Sequence, residues 1–495
     1  MEVKYKSTRG NGELISASKA ILTGLAPDGG LYVPDSIPTL DIDLNELKAM
    51  DYKQVAYLVM SKFLSDYTEE ELKDCIEKAY DSKFDTETIA PVVSKGSANY
   101  MELFHGATIA FKDMALSILP HLLTKAAVKN NIKNEIVILT ATSGDTGKAA
   151  LAGFADVPGT KIIVFYPKGG VSKIQELQMV TQKGDNTYVV GVKGNFDDAQ
   201  TGVKKMFNDK ALKDLLLENN IQFSSANSIN IGRLVPQVAY YVWAYASLLK
   251  SGQIKAGDKI NFVVPTGNFG NILAGFYAKL MGLPVNRLIC ASNDNKVLYD
   301  FFKTGIYNKN RDFILTSSPS MDILISSNLE RLIYRVCGNS ENKNREYMTN
   351  LSDKGVYTLE LNEIAGLSDF YPGWASEEEN SSEIKRVFDK YNYIIDTHTG
   401  VASCVYKKYV EETKDETPAV IVSTASPYKF ARACMSSIDE KYKDLEDFEL
   451  IKELNKLSGV PLPLAIKEIM DAEIRHDNVC EINEMESFVK GFLGV

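Results

Sequence analysis

Short apolar runs that end in glycine-rich or polar turns recur along the chain, and most are followed by residues with helical spacing. The apolar runs predict buried strands at 135–141, 161–166, 187–192, 259–265 and 419–423. The intervening patterns predict helices at 148–155, 172–183, 197–218 and 272–281. Strands that alternate with helices pair in parallel, so we expect an α/β fold with parallel sheets and helices on both faces.

The first 95 residues have a different pattern, with turn-rich segments at 7–10 and 24–34. Helical spacing follows at 43–48, 52–64 and 68–78. We expect a small N-terminal α+β domain at 1–95 and a catalytic body at 96–440, with a smaller mobile βαβ subdomain at about 135–230. Helices at 441–495 are expected to pack on this body.

Composition narrows the classes of function. The chain has 495 residues, 45% of them hydrophobic, and a net charge of -10, which argues against binding nucleic acid. No apolar run approaches the roughly 18 residues of a membrane span, and Met1–Lys6 has no apolar signal core. We therefore expect a cytoplasmic protein. Six scattered cysteines and four histidines show no metal-binding spacing, so no metal site is predicted.

Lys112 is a lone lysine between the apolar segments 109–111 and 114–119. Burial disfavours a charged amine and lowers its pKa, and a neutral amine is the form that attacks an aldehyde. On this stretch alone the alternative is a lysine that extends from a helix end to the surface.

Two loops have the character of anion sites. Thr142–Gly147 follows a predicted strand and opens a helix, but it lacks the spacing of a nucleotide-binding P-loop. It suits an anion such as a carboxylate, although a capped helix start has the same appearance. Thr266–Asn271 is a glycine-rich turn between a strand and a helix, which suits a phosphate.

A polar run at 225–233 adds Arg233, whose guanidinium would bind phosphate oxygens or form a structural salt bridge. The aromatic residues that follow in the same predicted helix are expected to pack in the core or at a subunit contact. They are Tyr240, Tyr241, Trp243 and Tyr245.

Five segments together resemble threonine synthase, a family of fold type II pyridoxal-phosphate enzymes. They are S-T-R-G at 7–10 with G-L-A-P-D-G-G-L-Y-V-P at 24–34, F-H-G-A-T-I-A-F-K-D at 104–113, T-S-G-D-T-G at 142–147, G-N-F-G-N at 267–271 and T-A-S-P-Y-K-F at 424–430. Ala107 stands where the family usually has proline, and Ser426 stands where it usually has histidine.

The resemblance implies pyridoxal 5'-phosphate as cofactor, held as a Schiff base on Lys112, with the Thr424 hydroxyl at its pyridine nitrogen. It implies that the cofactor phosphate lies on Gly267, Asn268, Phe269, Gly270 and Asn271. Substrate contacts are expected from Ser143, Gly144, Asp145, Thr146 and Gly147 at the α-carboxylate, with Asp145 orienting the loop. At the substrate phosphate they are expected from Ser228, Asn230 and Arg233.

The implied activity is that of a carbon–oxygen lyase at the last step of threonine biosynthesis. O-phospho-L-homoserine and water would give L-threonine and phosphate by β,γ-elimination and replacement, in a monomer or homodimer. Two enzyme alternatives remain open, a related phosphohydroxy-amino-acid lyase and a threonine dehydratase-like enzyme. A third alternative is a non-catalytic phosphate-binding regulator on the same scaffold.

Overall fold

The structure is a computed structural model that describes residues 2–10, 13–142 and 144–495. Its strands are β1 Tyr5–Ser7, β2 Tyr32–Pro34, β3 Val92–Lys95, β4 Ala98–Glu102, β5 Glu135–Ala141, β6 Thr160–Pro167, β7 Thr187–Val192, β8 Ile221–Ser224, β9 Ile260–Pro265, β10 Val285–Ser292, β11 Ile306–Asn308, β12 Val356–Thr358, β13 Phe370–Trp374, β14 Ala419–Ser423 and β15 Val479–Cys480.

Its α-helices are α1 Ala17–Thr23, α2 Tyr52–Phe63, α3 Glu69–Ala79, α4 Asp113–Leu116, α5 Leu119–Lys129, α6 Asp145–Phe154, α7 Lys173–Val180, α8 Phe196–Asn208, α9 Lys210–Glu218, α10 Ile231–Lys250, α11 Gly270–Leu280, α12 Val297–Thr304, α13 Leu329–Val336, α14 Glu341–Asp353, α15 Leu361–Ala365, α16 Glu377–Tyr391, α17 Thr397–Thr413, α18 Ala431–Ile438, α19 Asp447–Ser458, α20 Leu464–Met470 and α21 Met485–Leu493. No helix in these described ranges is long and apolar enough to span a bilayer.

Two mainly parallel sheets organise the chain, which confirms the predicted fold class. The larger sheet has the order β13-β10-β9-β14-β4-β3, in which only the β3–β4 pair is antiparallel. The smaller sheet has the order β15-β7-β6-β5-β8 and is parallel throughout. Each strand that carries a predicted site loop, β5, β9 or β14, lies inside one of these sheets, so the loops begin from fixed points.

The N-terminal segment packs directly on the larger body through buried polar contacts. Arg331 of α13 is fully buried and donates to the backbone carbonyls of Tyr32 and Ile229. The carboxylate of Glu330 accepts from the Thr8 hydroxyl and from the Arg9 guanidinium. The S-T-R-G segment therefore meets the larger body at α13 and also at α14, where Asn344 donates to the carbonyl of Thr8.

The aromatic helix α10 lies in the core, as expected from its sequence. Tyr240, Tyr241, Trp243 and Tyr245 are all buried. The Trp243 indole donates to the carbonyl of Ala90, which joins α10 to the segment that precedes β3. The hydroxyls of Tyr240 and Tyr241 both donate to the Asn271 side chain. These bonds hold the glycine-rich turn at 266–271 against the core.

Some element predictions were wrong in detail. The helix predicted at 197–218 is two helices, because Asp209 accepts a hydrogen bond from Leu212 N–H and starts a new helix. The helix expected at 43–48 is a 3₁₀ turn over Glu46–Ala49. The segment 441–495 contains β15 as well as helices, and this strand pairs with β7 at the edge of the smaller sheet.

Candidate active site

The segment before Lys112 is bonded to the end of β14. Ala110 forms an antiparallel bridge with Ala425, and Phe111 N–H donates to the carbonyl of Thr424 at 2.7 Å. Lys112 itself is the N-cap of the short helix α4. The fold thus places Lys112 beside Thr424, two residues that are 312 positions apart in the chain and were predicted to share a cofactor.

The Lys112 side chain is 12% exposed, and its Nζ contacts two polar groups. Nζ donates to the Ser320 hydroxyl at 3.4 Å and lies 3.6 Å from the Asp145 carboxylate. Burial lowers the pKa of Lys112; Asp145 opposes this, and the charges of Lys429 and Arg233 add to the lowering. The lowered pKa increases the fraction of Lys112 that is the neutral, nucleophilic amine.

Asp145 faces the lysine rather than serving only to orient its own loop. Its carboxylate lies 3.2 Å from the Nζ of Lys429 and accepts hydrogen bonds from Ser320 Oγ and from the Gln175 amide. Burial would raise the pKa of Asp145, but Lys429 and Lys112 hold it well below its ordinary value. Asp145 is therefore a buried anion between two lysines.

The turn at 106–109 is fixed by a carboxylate, although Ala107 replaces the proline of the family pattern. Asp113 accepts from both the backbone N–H and the hydroxyl of Thr108. A Cβ added at Gly106 would lie 2.6 Å from the Asp113 Cβ, so the approach requires glycine. The Ser426 hydroxyl accepts from Tyr428 N–H at the start of a 3₁₀ turn.

His105 lies beside this turn between two carboxylates. Its Nδ1 contacts Asp85, and its Nε2 is 2.9 Å from Glu102. Burial lowers the pKa of His105, but hydrogen bonds to Asp85 and Glu102 outweigh it and raise the pKa to about 9. The charged imidazole therefore stabilises the segment that leads to the lysine.

The turn at 267–271 has the form of an anion cradle. Phe269 takes a left-handed conformation, with φ of 63°, and α11 begins at Gly270. The carbonyls of Gly267 and Asn268 accept from Ser326 and Asn328, while no described protein group accepts from the backbone N–H groups of 267–270. These N–H groups remain for an external acceptor.

Asn271 contributes a further donor to the same turn. Its Oδ1 accepts from the two core tyrosines at 2.6 and 2.7 Å, so its Nδ2 must point to another acceptor. Within the described residues that buried Nδ2 has no hydrogen-bond partner. Unpaired buried donors are uncommon, and this one is available to a bound acceptor.

Some backbone N–H groups of the loop at 142–147 are already hydrogen-bonded within the loop. The Thr142 hydroxyl accepts from the N–H groups of Gly144 and Gly147 at 3.0 Å each. Of the predicted substrate contacts, Ser143 lies outside the described residues. The N–H groups of Asp145 and Thr146, in the first turn of α6, are not used in this way.

The three residues predicted at the substrate phosphate differ in how many of their side-chain donors are already hydrogen-bonded within the protein. Asn230 caps α10, with its Oδ1 accepting from Gly232 N–H and its Nδ2 donating to Ile21 O. Ser228 is partly exposed and donates to Asn227. Arg233 is buried, with one nitrogen on Ala226 O and an Nε that has no partner in the described chain. Burial lowers its pKa to about 10.

Sequence reasoning missed several residues that the fold brings to Lys112. Lys429 lies in the T-A-S-P-Y-K-F segment, but neither its side chain nor that of Ser320 was assigned a role. Asp396 and His398 were not considered at all. D-T-H-T at 396–399 opens α17 with an acidic cap, a signal that predicts a helix start and nothing more.

Comparison with known proteins is consistent with this geometry. Three family profiles match, described as threonine synthase N terminus at residues 4–80, pyridoxal-phosphate dependent enzyme at 101–360, and threonine synthase, C-terminal at 399–489. Human threonine synthase-like 1 is 38% identical over 460 residues, which is 90% of this chain and 60% of that protein. This chain therefore spans less than two thirds of that relative.

Two threonine synthases match over nearly their whole length. The protein from Saccharomyces cerevisiae is 35% identical over 510 residues, covering 95% of this chain and 96% of its own. A crystal structure of threonine synthase from Brucella melitensis, with bound pyridoxal phosphate, superposes with a TM-score of 0.87 at 33% identity and full coverage of both chains.

Proposed function

The chain belongs to the threonine synthase family of pyridoxal-phosphate-dependent enzymes, and from this membership we propose that it converts O-phospho-L-homoserine and water to L-threonine and phosphate. The observation that carries the proposal is the buried Lys112 amine, which contacts Ser320 at the point where the turn at 267–271, with its unused N–H groups, also approaches that residue. An aldehyde cofactor with a phosphate tail needs an amine to hold the aldehyde and N–H donors to hold the phosphate.

The residues present fit pyridoxal phosphate. Lys112 offers a buried amine, and the turn at 267–271 with the orphaned Asn271 Nδ2 offers donors for the phosphate. A Cβ at Gly267 would lie 2.4 Å from the Ser320 carbonyl, so glycine is required where the turn approaches that loop. Thr424 would meet the pyridine nitrogen with a neutral hydroxyl.

When bound, pyridoxal phosphate supplies an aldehyde and a ring that withdraws electrons from the substrate. Lys112 would hold the aldehyde through Nζ, and burial lowers the pKa of that amine. The same Nζ would take and return the protons at Cα and Cβ of the substrate. The first turn of α6, with Asp145 and Thr146, orients the α-carboxylate and excludes water from the amine.

A substrate with its own phosphate needs a second group of donors, and Arg233 supports this part of the proposal. It is a buried guanidinium whose Nε is unpaired within the described chain, and its charge is felt at Lys112. A guanidinium binds phosphate oxygens bidentately. Ser228 is the second proposed contact, whereas the Asn230 side chain acts as a helix cap.

The finer organisation is part of the same proposal. We divide the chain into an N-terminal unit at 1–95, a catalytic body at 96–440 with a smaller subdomain at about 135–230, and a C-terminal unit at 441–495. The first family profile, at 4–80, supports the N-terminal unit, whereas the last profile, at 399–489, crosses the proposed boundary at 440. The proposal includes a cytoplasmic location, as expected from the sequence, and a monomer or homodimer.

The test is a product assay with purified protein, pyridoxal phosphate and O-phospho-L-homoserine. Equal molar amounts of phosphate and threonine are expected, and Lys112→Ala should abolish both. Phosphate with a keto acid and ammonia would instead indicate the lyase alternative. Release of neither product, with no cofactor absorbance, would overturn the proposed activity and leave the non-catalytic binder.

A further inference from the structure

Asp396 is a carboxylate without exposed surface at the start of α17. One of its oxygens accepts from the backbone N–H of His398 at 2.9 Å and contacts the His398 ring at Nδ1, 2.7 Å away. The other accepts from the N–H and the hydroxyl of Thr399. A helix cap needs only the contacts to backbone N–H groups, so the contact with the His398 ring is additional to capping.

The two ring nitrogens of His398 have opposite roles. Nε2 lies 3.1 Å from the backbone nitrogen of Ser320, which carries a hydrogen and can only donate. Nε2 must therefore be the acceptor, and the ring proton must be on Nδ1, facing the Asp396 carboxylate. Asp396 thus fixes His398 as the neutral Nδ1–H tautomer, as second partners of imidazoles commonly do.

The Ser320 residue held in this way lies between the two charged groups of the site. Its hydroxyl accepts from Lys112 Nζ at 3.4 Å and donates to Asp145 Oδ2 at 3.2 Å. The same helix start holds the Ser320 loop at a second point, because the Thr397 hydroxyl donates to the carbonyl of Ser317 at 2.7 Å. The loop position is therefore set from α17.

Asp396 also reaches the other side of the site. The Thr399 hydroxyl that it holds lies 3.0 Å from the Ser423 hydroxyl. Ser423 ends β14 and precedes Thr424, whose carbonyl accepts from the N–H of Phe111 next to Lys112. One buried carboxylate is thus bonded, through two short paths, to both segments that flank the lysine.

We propose that His398, with its tautomer fixed by Asp396, is a positioning residue that holds the Ser320 hydroxyl against Lys112 and Asp145. The role of Lys112 in this statement rests on the proposed function. His398 does not reach the lysine itself; it acts through the Ser320 backbone N–H. Losing one neutral hydrogen bond of this kind corresponds to about a tenfold effect on a rate or an equilibrium.

The first arm of the test reads the tautomer directly in the full-length protein labelled with ¹⁵N-histidine. The chain has four histidines, so His398→Gln assigns the signal by its disappearance. We expect the Nδ1–H tautomer for His398. His476 is an internal control of the opposite kind, because its Nε2 lies 3.0 Å from the carbonyl of Gln182 and must donate. An Nε2–H or charged His398 would overturn the proposal.

The second arm tests whether His398 acts through Ser320. With pyridoxal phosphate bound, the pH midpoint of the cofactor absorbance and the turnover rate are measured in Ser320→Ala, His398→Leu and the double variant. Each single change should shift the midpoint in the same direction and lower kcat about tenfold, and the double variant should do no more. Additive effects would contradict a pathway through Ser320.

A conservative variant separates positioning from mere packing. In His398→Gln the side-chain oxygen can still accept from Ser320 N–H, so both readings should return close to the wild-type values, even if His398→Leu proves unstable. Impairment of the glutamine variant equal to that of Ser320→Ala would refute the role. Failure of the proposed reaction alone would remove turnover but leave the tautomer and absorbance readings intact.

Discussion

Replacing Gly267 with alanine would test how the phosphate turn and the Ser320 loop fit together. The added Cβ would lie 2.4 Å from the Ser320 carbonyl oxygen, and ordinary contact begins at 3.4 Å. The two backbone segments must therefore separate by about 1 Å, the difference of these distances. Forced overpacking costs about 1–3 kcal/mol of stability. A displacement of about 1 Å in a reactive geometry costs about 100-fold in rate.

We expect Gly267→Ala to fold, to lose about 1–3 kcal/mol in urea unfolding, and to bind pyridoxal phosphate at least about tenfold more weakly in an absorbance titration. Gly491→Ala is the matched control, because Gly491 lies in α21 with no atom within 4 Å of an added Cβ. That change should leave cofactor binding unaltered and stability equal or up to about 1 kcal/mol higher. Wild-type stability and affinity in Gly267→Ala would refute the packing argument.

Three further predictions address the cofactor turn and two buried cations. Asn271→Asp keeps the acceptor for the two tyrosines but replaces the unpaired donor, so affinity for pyridoxal phosphate should fall about 100-fold. Binding of pyridoxal, which lacks the phosphate, should not change; equal losses for both would contradict the assignment. For His105, a pKa raised to about 9 means that the charged form stabilises the fold fully below about pH 6.5 and less as pH rises through 9. His105→Gln should lower the free energy of unfolding by about 1–2 kcal/mol at pH 6, a modest effect because one carboxylate partner is partly exposed. This difference from the wild type should shrink as the pH rises through 9, and a pH-independent difference would refute the prediction. Arg331→Met leaves two buried carbonyls without their donor and should cost about 3 kcal/mol in urea unfolding, whereas the exposed Arg335→Met should cost less than about 0.5 kcal/mol; similar losses would contradict the anchoring role.

The sequence predicts well whatever is local in the chain. A strand, a glycine turn and the start of a helix follow one another within about 15 residues, so β9, the turn at 267–271 and α11 could be read from their order. Lys112 was identifiable because its apolar neighbours are adjacent in sequence. The break between α8 and α9 was missed because the Asp209 cap competes with a helical pattern that continues on both sides.

Contacts between distant segments were beyond sequence reasoning. Asp145 meets Lys429 only because the fold brings the start of α6 against the segment that follows β14, 284 residues later in the chain. Its carboxylate therefore looked out of place in an anion-binding loop. The link from His398 to Ser320 likewise depends on how α17 packs beside the segment before α13, and no local spacing encodes that approach.

The central claim is that Lys112 is the residue that binds the cofactor aldehyde, and it has buried rivals. Lys429 lies in the same cluster. Lys148 lies in α6, three residues after Asp145, and burial lowers its pKa to about 8. The direct measurement is borohydride reduction of the protein with pyridoxal phosphate, followed by peptide mapping. The account predicts one labelled peptide that contains Lys112, and a label on Lys148 or Lys429 would contradict it.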